Sequence, residues 1–225
     1  MGIKKLLGHR DGVSAPSAAP EPPSDPPTVL LFLKEPIRGR VKTRLAAEIG
    51  DEMACTVYRG LAEATLAAVP AGWPIEVHFL GAEENMRAWL GERPRFFPQK
   101  GADLGEKLAH GVEEAFSCGT SGVILLGGDC PGVTSGRLRA AAASLAKGRS
   151  VIGPAVDGGY WTLGLPRPYP RVFQEVDWST EQVFAQTTQR FSEYGEQPDL
   201  LEELEDIDDL ASWTRFLLQE SVLAK

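Results

Sequence analysis

The apolar residues of this chain are gathered into short unbroken runs, and that pattern constrains the fold more than any other feature. Residues 28–33 read TVLLFL, and runs of the same kind recur at Ile75–Leu80, at Val123–Leu126 between Gly122 and Gly127, at 150–155 and at Tyr160–Leu165. A strand with one face in water alternates apolar and polar residues, whereas an unbroken apolar run of strand length describes a strand covered on both faces. The intervening segments carry helical spacing: 51–69 is rich in Ala and Leu, 104–116 places Leu104, Leu108, Val112 and Ala115 on one face, and 136–147 and 180–191 look similar. Strands alternating with helices predict an α/β fold built on a mostly parallel sheet flanked by helices. In such sheets ligands bind beyond the carboxyl ends of the strands, so the chemistry is sought in the residues that follow each apolar run.

Charge narrows the choice. The 225 residues carry a formal net charge of -8, which disfavours a nucleic-acid binder whose grip must come from Lys and Arg on phosphates. No apolar run reaches the roughly 20 residues that span a bilayer, and the N-terminus lacks a signal-peptide core, so no membrane span and a cytoplasmic location are expected. Cys55, Cys118 and Cys130 form no C-x-x-C pair, which suits a reducing compartment and offers neither a disulfide framework nor a zinc site. Residues 14–27 hold six of the 17 prolines and no large apolar side chain, so residues 1–27 are expected to be a flexible lead and 28–225 a single domain. The net charge hides a division: between Glu193 and Asp209 stand nine acids with no Lys or Arg, whereas Lys34, Arg38, Arg40, Lys42 and Arg44 face only Glu35.

That basic stretch directly follows the first apolar run. Pro36 and Gly39 break regular structure, which makes residues 34–45 a loop whose cations could surround a diphosphate. A P-loop would need Gly before Lys42, where Val41 stands, and no G-x-G-x-x-G follows the strand. After Val123–Leu126 comes Gly127-Gly128-Asp129-Cys130-Pro131, and after 150–155 comes Val156-Asp157-Gly158-Gly159-Tyr160. A carboxylate beside glycines at a strand end suits a hard cation such as Mg2+ or Mn2+ held with substrate phosphates, and two on different strands can meet across one cleft. Asp129 taken alone could equally be a turn or cap residue. Asp103 with Glu106 has capping-box spacing, as does Ser179 with Gln182. His78 within a strand, His110 on a helix and Cys130 without a His partner suggest no ligand, and Tyr160, Trp161 and Trp178 could stack on a base or sugar or belong to the core.

The ordered motifs K-x-P-x-x-G-x-V-K-T-R-L at residues 34–45, D-L-G-E at 103–106, G-x-D-C-P at 127–131, G-P-A-x-D-G-G-Y at 153–160 and W-S-T at 178–180 make the chain resemble a bacterial family of GT-A-type glycosyltransferases. Members are described as rSAM-associated transferases and, in some cases, arsenosugar biosynthesis glycosyltransferases with a nucleotide-diphospho-sugar transferase fold. The likeness covers nearly everything from Val29 to Leu210. It implies a nucleotide-binding set of Lys34, Gly39, Lys42, Arg44, Asp103, Gly128, Gly158 and Gly159, a metal-binding Asp129 for Mg2+ or Mn2+, and an acceptor-side Asp157 that is a catalytic general base or a second metal contact. Gly128 stands where a small hydroxyl residue is expected and Trp161 where a second Tyr is expected. The stretch 206–210 resembles, in shortened form, the D-I-D tail of related nucleotidyltransferases.

These expectations describe a metal-dependent glycosyltransferase acting on a nucleotide sugar and a small-molecule acceptor, with no nucleic-acid partner. Functional association with a radical-SAM enzyme is implied by the resemblance alone. The alternative is a nucleotidyltransferase that moves NMP from an NTP to a phosphorylated small molecule; a non-catalytic nucleotide-binding protein is the third reading.

Overall fold

The computed structural model describes residues 25–223. Residues 1–24 of the expected lead lie outside the described residues. Seven strands form one sheet: β1 (Thr28–Lys34), β2 (Ile75–Leu80), β3 (Arg95–Pro98), β4 (Val123–Leu126), β5 (Val151–Pro154), β6 (Tyr160–Leu165) and β7 (Asp199–Leu200), in the spatial order β3-β2-β1-β4-β6-β5-β7. All neighbours are parallel except β6, which runs antiparallel to both β4 and β5. The helices are α1 (Thr43–Ile49), α2 (Asp51–Ala68), α3 (Glu83–Leu90), α4 (Leu104–Ser117), α5 (Ser135–Leu145), α6 (Val183–Glu193) and α7 (Leu210–Leu223), with a 3-10 turn at Pro170–Phe173.

The unbroken run in β1 feeds two cores at once, because successive strand side chains point to opposite faces. Val29, Leu31 and Leu33 pack with residues of α2, α3 and α5, while Leu30 packs with α4, the 3-10 turn and Phe191 of α6. A third cluster ties α1 and α2 to Ile207, Trp213 and Phe216, so the end of the chain folds back onto the helices that follow β1. The strand order reverses direction at β1, between β2 and β4, and this switch point opens the crevice in which α/β sheets bind ligands.

Two local expectations are corrected and a third holds. The basic segment is not a loop throughout: helix α1 begins at Thr43, and Gly50, with φ 84°, ends it by donating its N–H to Ala46 O at 2.9 Å. Ser179 does not cap a helix; it adopts φ 67°, α6 starts only at Val183, and the Thr180 hydroxyl receives the Gln182 N–H instead. Asp103 caps α4 as the spacing predicts: Asp103 Oδ1 accepts from Glu106 N at 2.9 Å, while Glu106 Oε2 reaches back to accept from the N–H of Ala102, one residue before the cap, at 2.7 Å.

Candidate functional site

The site begins where β4 ends. Backbone pairing of β1 and β4 brings Lys34 and the segment Gly127–Asp129 to the same edge of the sheet. Gly128 lies against the α2 side, where an added Cβ would run into the Leu33 side chain and come within 3.4 Å of Ala62 Cβ. That contact explains the absence of a hydroxyl residue at this position. Close packing requires the glycine.

The C-terminal tail reaches the same edge through one buried residue. Ile207 is 1% exposed, packs among α1, α2 and α7, and donates its N–H to Asp129 O at 3.0 Å. Alternation along an extended segment turns Asp206 and Asp208 to the side opposite Ile207. Asp129, Asp206 and Asp208 thereby each offer a carboxylate oxygen within 4.8 Å of the others. The sequence points to Asp129 as the metal ligand with Asp157 as a candidate second contact, whereas the group assembled here is Asp129, Asp206 and Asp208; the D-x-D spacing beside a buried Ile is the signal for the last two. The remaining acids of that stretch are mostly spent on ion pairs elsewhere, such as Glu205 with Arg215, Glu202 with Arg137 and Asp199 with Arg149, and Asp209 caps α7 through Ser212 N at 2.8 Å.

Lys42 supplies the positive charge inside this cluster. Its Nζ lies 3.1 Å from Asp129 Oδ2 and 2.5 Å from Asp208 Oδ1, with the side chain only 5% exposed. The backbone is left-handed there, φ 46°, an unfavourable conformation for a side chain of this kind, held by the N-terminus of α1 and by the two ion pairs. Burial alone would lower the ammonium pKa, but the two carboxylates outweigh it and hold it above the ordinary lysine value. Asp206 has the opposite problem: burial first, then Asp129, Asp157 and Asp208, push its carboxyl up to about 7. Three oxygen-donor side chains crowded to this degree fit a hard divalent cation, which would relieve the repulsion that raises Asp206.

Two depressions flank the acids. The smaller, about 350 Å³, is lined by Lys34, Arg40, Lys42 and Arg44 together with Gln99 and Gly128. The larger, about 980 Å³, is lined by Asp157, Gly159, Tyr160, Trp178 and Glu181 among others. Phe32, Arg44, Leu104, Gly127, Asp129 and Asp208 border both. Asp157 stands on the larger side; its Oδ1 accepts from Gly159 N at 2.9 Å, an Asx-type turn that fixes the carboxylate at the strand end.

The structure therefore brings together Lys34, Lys42, Arg44, Gly128, Asp129, Asp157 and Gly159. It does not bring Gly39, Asp103 or Gly158 to either depression. Gly39 adopts φ 74° against Asp51, the Asp103 carboxylate serves the cap of α4, and Gly158, φ 85°, lies so close to the Glu181 backbone that no side chain fits. Their contribution is to position other parts. Gly105 acts the same way: an added Cβ would strike the Trp178 ring and the Phe173 carbonyl, so the glycine of D-L-G-E is what seats the tryptophan of W-S-T over α4. Trp161 is buried under Gly153 and donates Nε1–H to Glu202 O at 3.1 Å, tying the tail to β6. Cys130 is buried, and its thiol is pushed up to about 12 chiefly by that burial, which leaves it inert. Among the described residues no helix is long and apolar enough to cross a membrane.

The comparisons agree with this architecture. A protein of Desulfovibrio desulfuricans G20, described provisionally as a nucleotide-diphospho-sugar transferase, is 30% identical and superposes with a TM-score of 0.75 over 81% of this chain and 82% of that one. Rv0371c of Mycobacterium tuberculosis H37Rv, solved with manganese, is 17% identical with a TM-score of 0.52 over 85% of this chain and 98% of that one. The 4-diphosphocytidyl-2C-methyl-D-erythritol synthase of Anaerococcus prevotii DSM 20548 is 10% identical with a TM-score of 0.56 over 88% and 97%. The last two share the fold. No curated protein matches the sequence. The fold is that of nucleotide-diphospho-sugar transferases and nucleotidyltransferases, and the family model for DUF2064, described as an uncharacterized protein conserved in bacteria, matches residues 62–180: the chain belongs to that family.

Proposed function

We propose that the protein is a metal-dependent glycosyltransferase that uses a nucleotide-diphospho-sugar donor and a small-molecule acceptor. The observation that carries this reading is the cluster of Asp129, Asp206 and Asp208 at the switch point of the sheet, wedged between a cleft of four cations and an acidic, aromatic cavity. Lys34, Arg40 and Arg44 are placed to bind the donor diphosphate, and Lys42 anchors Asp129 and Asp208 in the geometry that a ligand would meet. The three aspartates would hold Mg2+ or Mn2+, which when bound neutralises charge on the leaving diphosphate. Asp157 would orient the acceptor hydroxyl and accept its proton as the acceptor oxygen bonds to the anomeric carbon, the sugar–phosphate C–O bond breaks, and its electron pair leaves with the nucleoside diphosphate. The manganese complex of Rv0371c is consistent with a cation on this fold.

Nucleotidyl transfer is the second reading, favoured by the acidic tail that joins Asp129 and by fold neighbours such as the erythritol synthase above and a CMP-2-keto-3-deoxy-manno-octonic acid synthetase solved with CTP. The two differ in product. UDP-, GDP-, CDP- and ADP-sugars and the free NTPs, each incubated with Mn2+ or with EDTA, should give Mn2+-dependent release of nucleoside diphosphate from one sugar nucleotide. Pyrophosphate release from an NTP in place of that product would overturn the glycosyl assignment.

A further inference from the structure

The larger cavity carries information about the acceptor that the transferase reading leaves open. Its charged lining is one-sided: Asp129, Asp157, Glu181, Asp206 and Asp208 face it, and among the described residues Arg44 is its only Lys, Arg or His. Arg44 belongs equally to the wall of the cationic cleft, where a diphosphate would claim it. Lys34, Arg40 and Lys42 line the smaller cleft, Arg38 is paired with Glu52, and Lys42 is already paired with two of the acids. With Asp129, Asp206 and Asp208 given to a cation, a phosphate group placed in the larger cavity would still meet Asp157 and Glu181, with Arg44 as the one basic side chain of the lining to offset them.

The uncharged wall combines the polar Thr162, Ser179, Thr180 and Gln182 with a group of aromatic and aliphatic side chains. Phe32 stacks on His78 with ring centroids 4.9 Å apart, and Trp178 is seated on Gly105 at the start of α4. Tyr160 presents its ring and not its hydroxyl, since Tyr160 Oη is buried with the Thr187 hydroxyl of α6. Leu104, Leu108 and Val183 complete a surface suited to a flat or aliphatic body.

Building on the transferase reading above, we propose that the acceptor is a neutral or cationic small molecule with an apolar body and no phosphate, its apolar part against Phe32, Tyr160 and Trp178 and its polar end toward Asp157 and Glu181. The two ends of the crevice then divide the labour by charge, with anionic donor on one side and non-anionic acceptor on the other. This separation also opposes a phosphorylated acceptor, which the nucleotidyl alternative requires.

The test is calorimetric titration of the full chain with 2-phenylethanol, 2-phenylethylamine and 2-phenylethyl phosphate, first alone and then with Mn2+ and a nucleoside diphosphate. The alcohol and the amine are expected to bind at least about tenfold more tightly than the phosphate ester in both settings. Glu181→Lys, at an exposed position, should narrow that preference by raising the affinity for the phosphate ester relative to the alcohol. Phosphate-ester binding as tight as that of the alcohol, or no binding of any of the three at millimolar concentration, would overturn the proposal. A chain that binds no nucleotide under any condition would instead overturn the transferase reading, while the titration without nucleotide still reports the charge preference of the cavity.

Discussion

Asp206 is the residue at which the proposed site should cost the fold stability, and the cost depends on pH. Its neighbours Asp129, Asp157 and Asp208 and its own burial push its carboxyl from the ordinary 3.8 up to about 7. A raised acid means that the folded chain retains a proton which the unfolded chain has released, so stability falls as pH climbs from about 4 to about 7. At 1.36 kcal/mol per pH unit the full loss has a ceiling of about 4 kcal/mol, of which roughly 2–3 kcal/mol accrues between pH 5 and pH 8. Asp206→Asn keeps the shape of the protonated acid and cannot ionise. In urea denaturation with EDTA present, the variant should therefore gain roughly 2–3 kcal/mol over the wild type on going from pH 5 to pH 8. Saturating Mn2+ should shrink that advantage, because a cation bound only to the folded wild type stabilises it by mass action. Stability curves for the two proteins that run parallel from pH 5 to pH 8 would refute the reasoning.

Other outcomes follow from the same packing. Lys42→Met leaves Asp129 and Asp208 facing each other without their cation and should destabilise the EDTA-treated protein by roughly 2–4 kcal/mol at neutral pH, with partial recovery in Mn2+, as read by denaturant melts. Gly128→Ala drives a methyl into Leu33 and should cost about 1–3 kcal/mol whether or not metal is present, measured in the same way. Brief alkylation of the native protein should label the exposed Cys118 and spare the buried Cys55 and Cys130, as mapped by peptide mass spectrometry; rapid native labelling of Cys130 would contradict its burial.

The strands that carry the site were legible because both of their faces are buried. Val123–Leu126 is 0–3% exposed throughout and leaves no polar residue to blur its ends, so Asp129 could be assigned to a strand terminus from composition alone. Edge elements lacked that signature. Arg95–Pro98 shows a mixed burial pattern, and Asp199–Leu200 is two residues long and takes its partner from β5, information that exists only in three dimensions. The basic stretch was visible as charge, but charge could not say that Lys42 turns inward to the acids while Arg40 and Arg44 remain exposed. The tail was the harder case. Nine acids in a row of seventeen residues look alike in sequence, and what separates Asp206 and Asp208 from Glu205 or Asp209 is the burial of Ile207, a contact with helices that follow β1 more than 140 positions earlier. A glycine in the sequence does not say what its missing side chain makes room for: Gly39 and Gly158 accommodate Asp51 and the Glu181 backbone, while Gly128 borders the cationic cleft and also packs on Leu33.

The central claim is that one divalent cation and one nucleoside diphosphate share the crevice between the basic stretch and the aspartate cluster. Calorimetric titration of Mn2+ into the full chain, with and without each nucleoside diphosphate, tests it most directly when repeated on Asp129→Asn and Asp208→Asn. The account predicts one Mn2+ per chain, tightened at least about tenfold by one of the nucleotides, and lost in both variants although they stay folded. Nucleotide binding that is equal with Mn2+ and with EDTA, and unchanged by either substitution, would contradict it.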